Sequence, residues 1–191
     1  MNQIKFLNLL GPSGSGKSTL KKLLLTLPYF TSYVPVTTRI PRKGEVNGVN
    51  YWFVSVEEYL ADQTLIMKRI VDSQTMYGAR SHDIDRLPAD KIIVTTMDAS
   101  GVQSLEKMGY TALVFHLVFP ESIRSRRMIK RGDTAHNIYK RLLYDRKFHT
   151  TVGITSTIVE VTSGKPNEIM EHIINTLNAL QKGVWHHDTC K

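Results

Sequence analysis

Cysteine is almost absent. The one copy, Cys190, stands next to the last residue, so no internal disulfide can form and a reducing compartment is expected. Also missing is any apolar run near the roughly 18 residues that a membrane span needs. Met1-Asn2-Gln3-Ile4-Lys5 is not a charged leader ahead of an apolar block, so neither a membrane nor a secretory signal is expected, and the protein reads as cytoplasmic. Acidic residues are scarce beside basic ones, 17 Asp+Glu against 25 Lys+Arg with a formal charge of +8, which points to an anionic partner. Nucleotide phosphate and nucleic acid both qualify on charge alone. The seven histidines show no metal-ligand spacing, and His186-His187 reads as surface. No repeat, low-complexity segment or linker interrupts the chain. What is present is enough for one core: 191 residues, 41% hydrophobic, fit an α/β domain with a smaller inserted lobe.

The stretch around which the rest is organised is Gly11-Pro12-Ser13-Gly14-Ser15-Gly16-Lys17-Ser18-Thr19, between the apolar run Ile4 to Leu10 and the helix-forming Leu20 to Leu27. Gly, four residues, then Gly-Lys-Ser between a strand and a helix is the phosphate-loop pattern. Glycines let the backbone curl so that several N–H groups converge on one anion, and the helix adds its free N–H groups and the positive end of its dipole. Lys17 can reach the β- and γ-phosphates, and the Ser18 hydroxyl is placed to ligate Mg²⁺.

Further along, Tyr29 to Val36 reads as extended, Tyr51 to Val54 as a short strand, and Ser55 with Glu58 as a capping box that opens a helix. Leu65 to Tyr77 fits strands in a partly exposed lobe. Lys91 to Asp98 returns to core character as a buried parallel strand ending in a carboxylate. A helix over Gly101 to Met108, a strand over Thr111 to Phe119, two basic helices over Glu121 to Lys130 and Thr134 to His149, a strand over Thr157 to Val161 and a helix ending near Gln181 complete the order. This predicts an α/β fold, a parallel sheet with helices on both faces. We expect a core formed by residues 1–33 and 88–191, with a lid near 128–138 and an inserted acceptor lobe over 34–87.

Thr37-Thr38-Arg39, Ile40-Pro41-Arg42, Gly44-Glu45, Asn47-Gly48 and Tyr51-Trp52-Phe53 form a basic, Pro-flanked segment. Two guanidiniums held in such a loop suit bidentate capture of a phosphate. With the phosphate loop upstream, these residues resemble the guanylate kinase family in the segment that grips the monophosphate acceptor. The resemblance implies a P-loop nucleoside monophosphate kinase fold, ATP and Mg²⁺, and GMP or dGMP as the favoured acceptor. It also implies that Arg39 and Arg42 bind the acceptor phosphate with hydroxyls from Tyr51 and Tyr77. Asp98, at the carboxyl end of a strand, is implied near the metal or the acceptor nucleoside, although it also stands where a helix N-cap is needed. From Glu121 to Lys147 there are nine Lys/Arg and three Asp/Glu. By resemblance Arg127 and Arg131 flank the lid and Arg141 follows it, all directed at ATP phosphates; Lys17, Arg131 and Arg141 are the implied catalytic cations. Arg141 and Asp145 are also spaced as a helical ion pair.

The family's base-reading positions are altered. Pro35 and Ala79 replace serines, Thr96 replaces an aspartate, and Met67, aligned by counting back from Tyr77-Gly78, replaces a glutamate that accepts from guanine. Ile158 to Val161 lacks the Val-Asn-Asp that borders adenine. Another nucleotide, a ribose bisphosphate, or a non-catalytic binding role stay open as alternatives at this point. Long nucleic acid is not the expected partner.

Overall fold

Alternation along Phe6–Leu10 sends Leu7 and Leu9 to one face of a sheet and Phe6 and Leu10 to the other, and all five residues are buried. A strand buried on both faces belongs in the middle of a parallel sheet. In the computed structural model, which describes residues 4–42, 44–71, 73–148 and 151–181, this strand (β1) is central. It lies between β7 (Ile92–Thr95) and β8 (Ala112–Leu117), with β2 (Phe30–Thr31) and β9 (Thr157–Val161) at the edges. All four pairings are parallel. Helices α1 (Lys17–Leu24) and α7 (Pro166–Gln181) cover the Leu7/Leu9 face through Leu20, Leu24, Ile169, Ile173 and Leu177. Helices α3 (Ser81–Asp85) and α4 (Ala99–Lys107) cover the opposite face through Ile84, Val102 and Leu105. The parallel sheet with helices on both faces expected from the sequence is therefore the fold of the chain.

One polar residue sits inside β1. Asn8 is fully buried, accepts from Thr95 Oγ1 at 2.7 Å and from the Met97 N–H at 2.8 Å, and donates to the Met97 carbonyl at 3.1 Å. Its amide thus satisfies backbone that leaves β7 early, and fixes the corner from which Asp98 emerges.

The extended segment Tyr29 to Val36 divides between two sheets. Phe30–Thr31 joins the parallel sheet, whereas β3 (Val36–Thr37) enters a second one, ordered β4 (Trp52–Phe53), β3, β6 (Met76–Arg80), β5 (Leu65–Ile70). Here β3 runs parallel to β4, and β6 runs antiparallel to both β3 and β5. Helix α2 (Val56–Ala61) packs Tyr59 on Val36, Leu65 and Met76. The capping box forms: Ser55 Oγ accepts from the Glu58 N–H at 3.1 Å and Glu58 accepts from the Ser55 N–H at 2.7 Å. The basic helices are α5 (Glu121–Lys130) and α6 (Ala135–Phe148), and His149, placed in the second of them from sequence, lies outside the described residues, as do Cys190 and His186-His187. Among the described residues no helix is long and apolar enough to cross a membrane.

Candidate active site

The phosphate loop leaves β1 and turns into α1 through glycines the geometry demands. Gly16, at the helix N-cap, has φ 104°, and a side chain on Gly14 would bring its Cβ to 2.6 Å from the Arg124 carbonyl oxygen of α5. Lys17 folds over the loop, its ammonium donating to the carbonyls of Gly11 and, at 2.9 Å, Pro12. Burial in the loop pushes the Lys17 pKa down to about 8; Asp145 opposes the shift, and Arg124, Arg131 and Arg42 add to it. Lys21, one turn on, is also pushed down to about 8 by burial, so α1 turns two ammonium groups toward the same cleft.

Helices α5 and α6 grip the loop from outside. Arg124 and Asp145, with side chains only 6% and 3% exposed, pair at 2.8 Å. Between them they hold both sides of Ser13: Asp145 accepts its N–H at 3.0 Å and Arg124 donates to its carbonyl at 3.1 Å. Arg124 Nε also donates to the Phe119 carbonyl at 3.1 Å. The helical pairing of Arg141 with Asp145 suggested by their spacing does not form. Asp145 turns inward to Arg124 and the loop, and Arg141 instead reaches Asp133 at 3.7 Å, in the turn between α5 and α6. Arg131 pairs with the same Asp133 carboxylate. Arg127 lies over the Phe119 ring and donates to the Ser15 carbonyl at 3.0 Å.

A cleft of about 690 Å³ opens between the loop and the second sheet. Gly11, Ser13, Lys17, Arg39, Arg42, Tyr51, Tyr77, Asp98 and Arg141 all line it, so most of the residues selected from sequence converge there. Pro12, Gly14, Ser15, Gly16, Ser18, Thr19, Arg127 and Arg131 do not line it; Ser18 and Thr19 are exposed in the first turn of α1. Arg39 is fixed by a fork to Glu45, both oxygens at 2.7 Å, and its guanidinium lies 4.7 Å from the Tyr51 ring. Burial alone would weaken its charge, but the Glu45 fork and the neighbouring Tyr77 and Tyr51 outweigh that and hold its pKa above the ordinary value. Arg42 takes the opposite course. Loss of water, then the nearby charges of Arg39 and Arg141, push its pKa down, and its guanidinium makes no hydrogen bond or ion pair among the described residues. An arginine fixed by a carboxylate beside one left uncompensated is a cradle for an incoming dianion.

Asp98 Oδ1 caps α4, accepting from the Gly101 N–H at 3.1 Å and from Ser100 Oγ at 2.9 Å. Its Oδ2 pairs with Arg69 of β5. Arg69 also donates to the Tyr144 hydroxyl of α6. Sequence reasoning passed over Arg69, Tyr144, Lys21 and the Arg124–Asp145 pair. The excess of arginine after residue 120 was the only signal for any of them.

A phosphate loop opening the helix after the central strand of a parallel sheet, facing an inserted mixed sheet whose loop carries a pair of arginines, defines a P-loop nucleoside monophosphate kinase. The comparisons narrow the class. The guanylate kinase family model matches residues 3–177. The guanylate kinase of Helicobacter pylori is 32% identical over 197 aligned positions, covering 100% of this chain and 96% of that protein. That of Clostridium tetani is 31% identical over 157 positions, covering 74% of each. Among solved structures, guanylate kinase from Anaplasma phagocytophilum superposes with a TM-score of 0.64 at 20% identity, over 100% of this chain and 90% of that one. The chain belongs to the guanylate kinase family. It is a nucleoside monophosphate kinase, with ATP as its co-substrate.

Proposed function

We propose that this kinase phosphorylates GMP, and that the cleft divides its labour between a donor end at the phosphate loop and an acceptor end at the second sheet. The observation that carries the reading is the convergence of Lys17, Arg39, Arg42 and Arg141 on one cleft from three different segments of chain. Such a site suits two polyanions brought into line. The acceptor's phosphate oxygen is already largely anionic near neutral pH, its second pKa being about 6, so no general base is required. Overcoming repulsion and fixing geometry are most of what phosphoryl transfer asks of a protein.

In this reading Lys17 and the loop amides hold the ATP phosphates, and Arg131 and Arg141 neutralise the phosphoryl group in transit. Arg39 and Arg42 hold the acceptor phosphate between them, with the Tyr51 and Tyr77 hydroxyls as neutral donors. The acceptor lobe corresponds to residues 34–87 and the core to the chain on either side, with the turn around Asp133 as the lid. Mg²⁺ fits as an ion carried by the nucleotide. No cluster of three His, Cys, Asp or Glu able to hold a metal exists among the described residues, and the Ser18 hydroxyl is exposed and uncommitted beside Lys17. Few protein ligands with phosphate and water oxygens are usual for that ion, a phosphate-loop Ser or Thr among them, and when bound it would supply charge neutralisation and a fixed phosphate geometry. In this reading Asp98 serves the α4 cap through Oδ1 and Arg69 through Oδ2.

Turnover of Mg-ATP against GMP, AMP, CMP, UMP and a ribose bisphosphate tests the proposal. Selective consumption with GMP is expected. Preference for any other acceptor would reassign the altered pocket, and ATP binding without turnover on any of them would favour a binding role.

A further inference from the structure

We infer that Arg69 reads the base of the acceptor, and that it reads the carbonyl edge of guanine, O6 and N7, rather than the amino edge. The inference rests on the GMP reading above and adds the residue and the edge by which the base is chosen.

The only carboxylates that line the cleft among the described residues are Asp98 and Asp145. Asp145 is tied to Ser13 and Arg124 at the phosphate loop, and Asp98 is occupied by the α4 amide, Ser100 and Arg69. At Met67, where a side chain could have offered an acceptor, the wall is a thioether only 7% exposed. The N1–H and 2-amino group of guanine are donors, and a wall without a free carboxylate has little to offer them. The opposite edge presents two acceptors, and an arginine fork is their best partner.

Arg69 is aimed and immobilised for that role. The β5–β6 ladder pairs Ile66 with Ala79 and then Arg69 with Tyr77, so one extra residue is inserted in β5, and Met67 within it takes φ 50°. Such a bulge re-aims the side chains that follow. The guanidinium then pairs through Nε with the Asp98 carboxylate and donates from Nη2 to Tyr144, with its carbon 5.9 Å from the Tyr77 ring centre. Those contacts use the Nε side of the group. The far end, Nη1 with the second N–H of Nη2, makes no hydrogen bond or ion pair among the described residues, and Arg69 lines the cleft. Asp98 matters for selectivity. An uncompensated cation here would seize a second phosphate, whereas a guanidinium already paired with a carboxylate favours a neutral base with two lone pairs. Asp98 and Tyr144 are therefore positioning residues, acting through Arg69. Adenine would turn its 6-amino group toward the same N–H groups and be refused.

The test compares kcat/KM for GMP, IMP, 7-deaza-GMP and AMP in the wild type, Arg69→Ala and Arg69→Lys. IMP keeps both acceptors and should match GMP within a few-fold. 7-Deaza-GMP has lost N7 and should fall about tenfold, with AMP lower still, in line with the discrimination of a bidentate arginine contact. Arg69→Ala should lower GMP turnover about ten- to a hundredfold while leaving KM for ATP in place, and should erase the difference between GMP and 7-deaza-GMP. Arg69→Lys keeps a cation for Asp98 but not the fork, so it should melt like the wild type and still lose the discrimination. Equal use of GMP and 7-deaza-GMP by the wild type, or the same penalty in wild type and Arg69→Ala, overturns the inference while leaving GMP as substrate. A wild type that ignores GMP overturns the GMP reading and this inference with it.

Discussion

At the donor end of the cleft the phosphate loop is shaped by backbone: Gly14, which α5 crowds too closely for any side chain, Gly11, which β8 crowds in the same way, carbonyls that hold Lys17, and a buried ion pair that grips Ser13 by its N–H and its carbonyl. At the acceptor end the shape comes from side chains, with Arg39 braced by Glu45 and Arg69 by Asp98 and Tyr144 across three elements. A backbone site fixes its ligand class, since converging amides fit phosphate and little else. A side-chain site can change its ligand by one substitution at a time. Pro35, Met67, Ala79 and Thr96, the positions at which the resemblance implies a changed base contact, all fall at the acceptor end or on the strands that form it, and none falls in the loop.

The comparison is broken most severely at Lys17. Lys17→Ala removes the one side-chain cation of the loop itself and should lower kcat/KM on the order of a thousandfold for every acceptor alike. Steady-state kinetics with two acceptors check this. Loss confined to one acceptor would place Lys17 at the wrong end.

Next comes the grip on Ser13. Asp145→Ala strands the Arg124 guanidinium in a buried site and should cost about 3 kcal/mol or more of stability, a fall in Tm of roughly 10 °C for a chain of this size. Replacing both partners, Arg124→Leu with Asp145→Ala, should recover most of the melting temperature, because no charge is then left unpaired. The double variant should still bind ATP several-fold more weakly, since Ser13 has lost both its anchors. Thermal melts and ATP titrations on the single and double variants separate the two effects; full recovery of both would make the pair a packing feature only.

Arg42→Lys probes the acceptor end. A lysine keeps the charge but not the fork, so KM for GMP should rise about tenfold with KM for ATP unchanged. Equal shifts in both constants would mean that Arg42 serves the donor instead.

Much of this could be read from the chain because the relevant signals are local. The phosphate loop, the Ser55–Glu58 box and the two-faced burial of β1 each follow from residues a few positions apart. The 5-residue α3 carries no period of its own and escaped notice. What could not be read is long-range. Arg124 and Asp145 are 21 positions apart, and Arg69 and Tyr144 are 75 apart, so nothing in either neighbourhood announces the other. Spacing misled at Arg141, because helical proximity to Asp145 is worth only about 0.5 kcal/mol, less than Asp145 gains by turning to a buried guanidinium and a loop N–H. Asn8 was hidden differently: a polar residue inside an apolar run has no meaning until the corner at Met97 exists to receive it.

The smallest predicted effect separates the ends by pH. Burial lowers Lys17 and Lys21 to about 8 in the free protein. ATP phosphates beside them favour the ammonium form, so nucleotide binding must draw these pKa values upward and take up protons near pH 8. ATP affinity should therefore hold below that pH and weaken several-fold as pH rises through about 8 to 9. GMP affinity should lack this feature, because Arg39 is held above the ordinary arginine range and stays charged throughout. Calorimetric titration of ATP at pH 8 in buffers of different ionisation enthalpy reads the proton uptake directly. The slope should shrink in Lys21→Met, leaving the part due to Lys17. Uptake on binding GMP instead of ATP would place the neutralised cations at the acceptor end and reverse the assignment of the two ends.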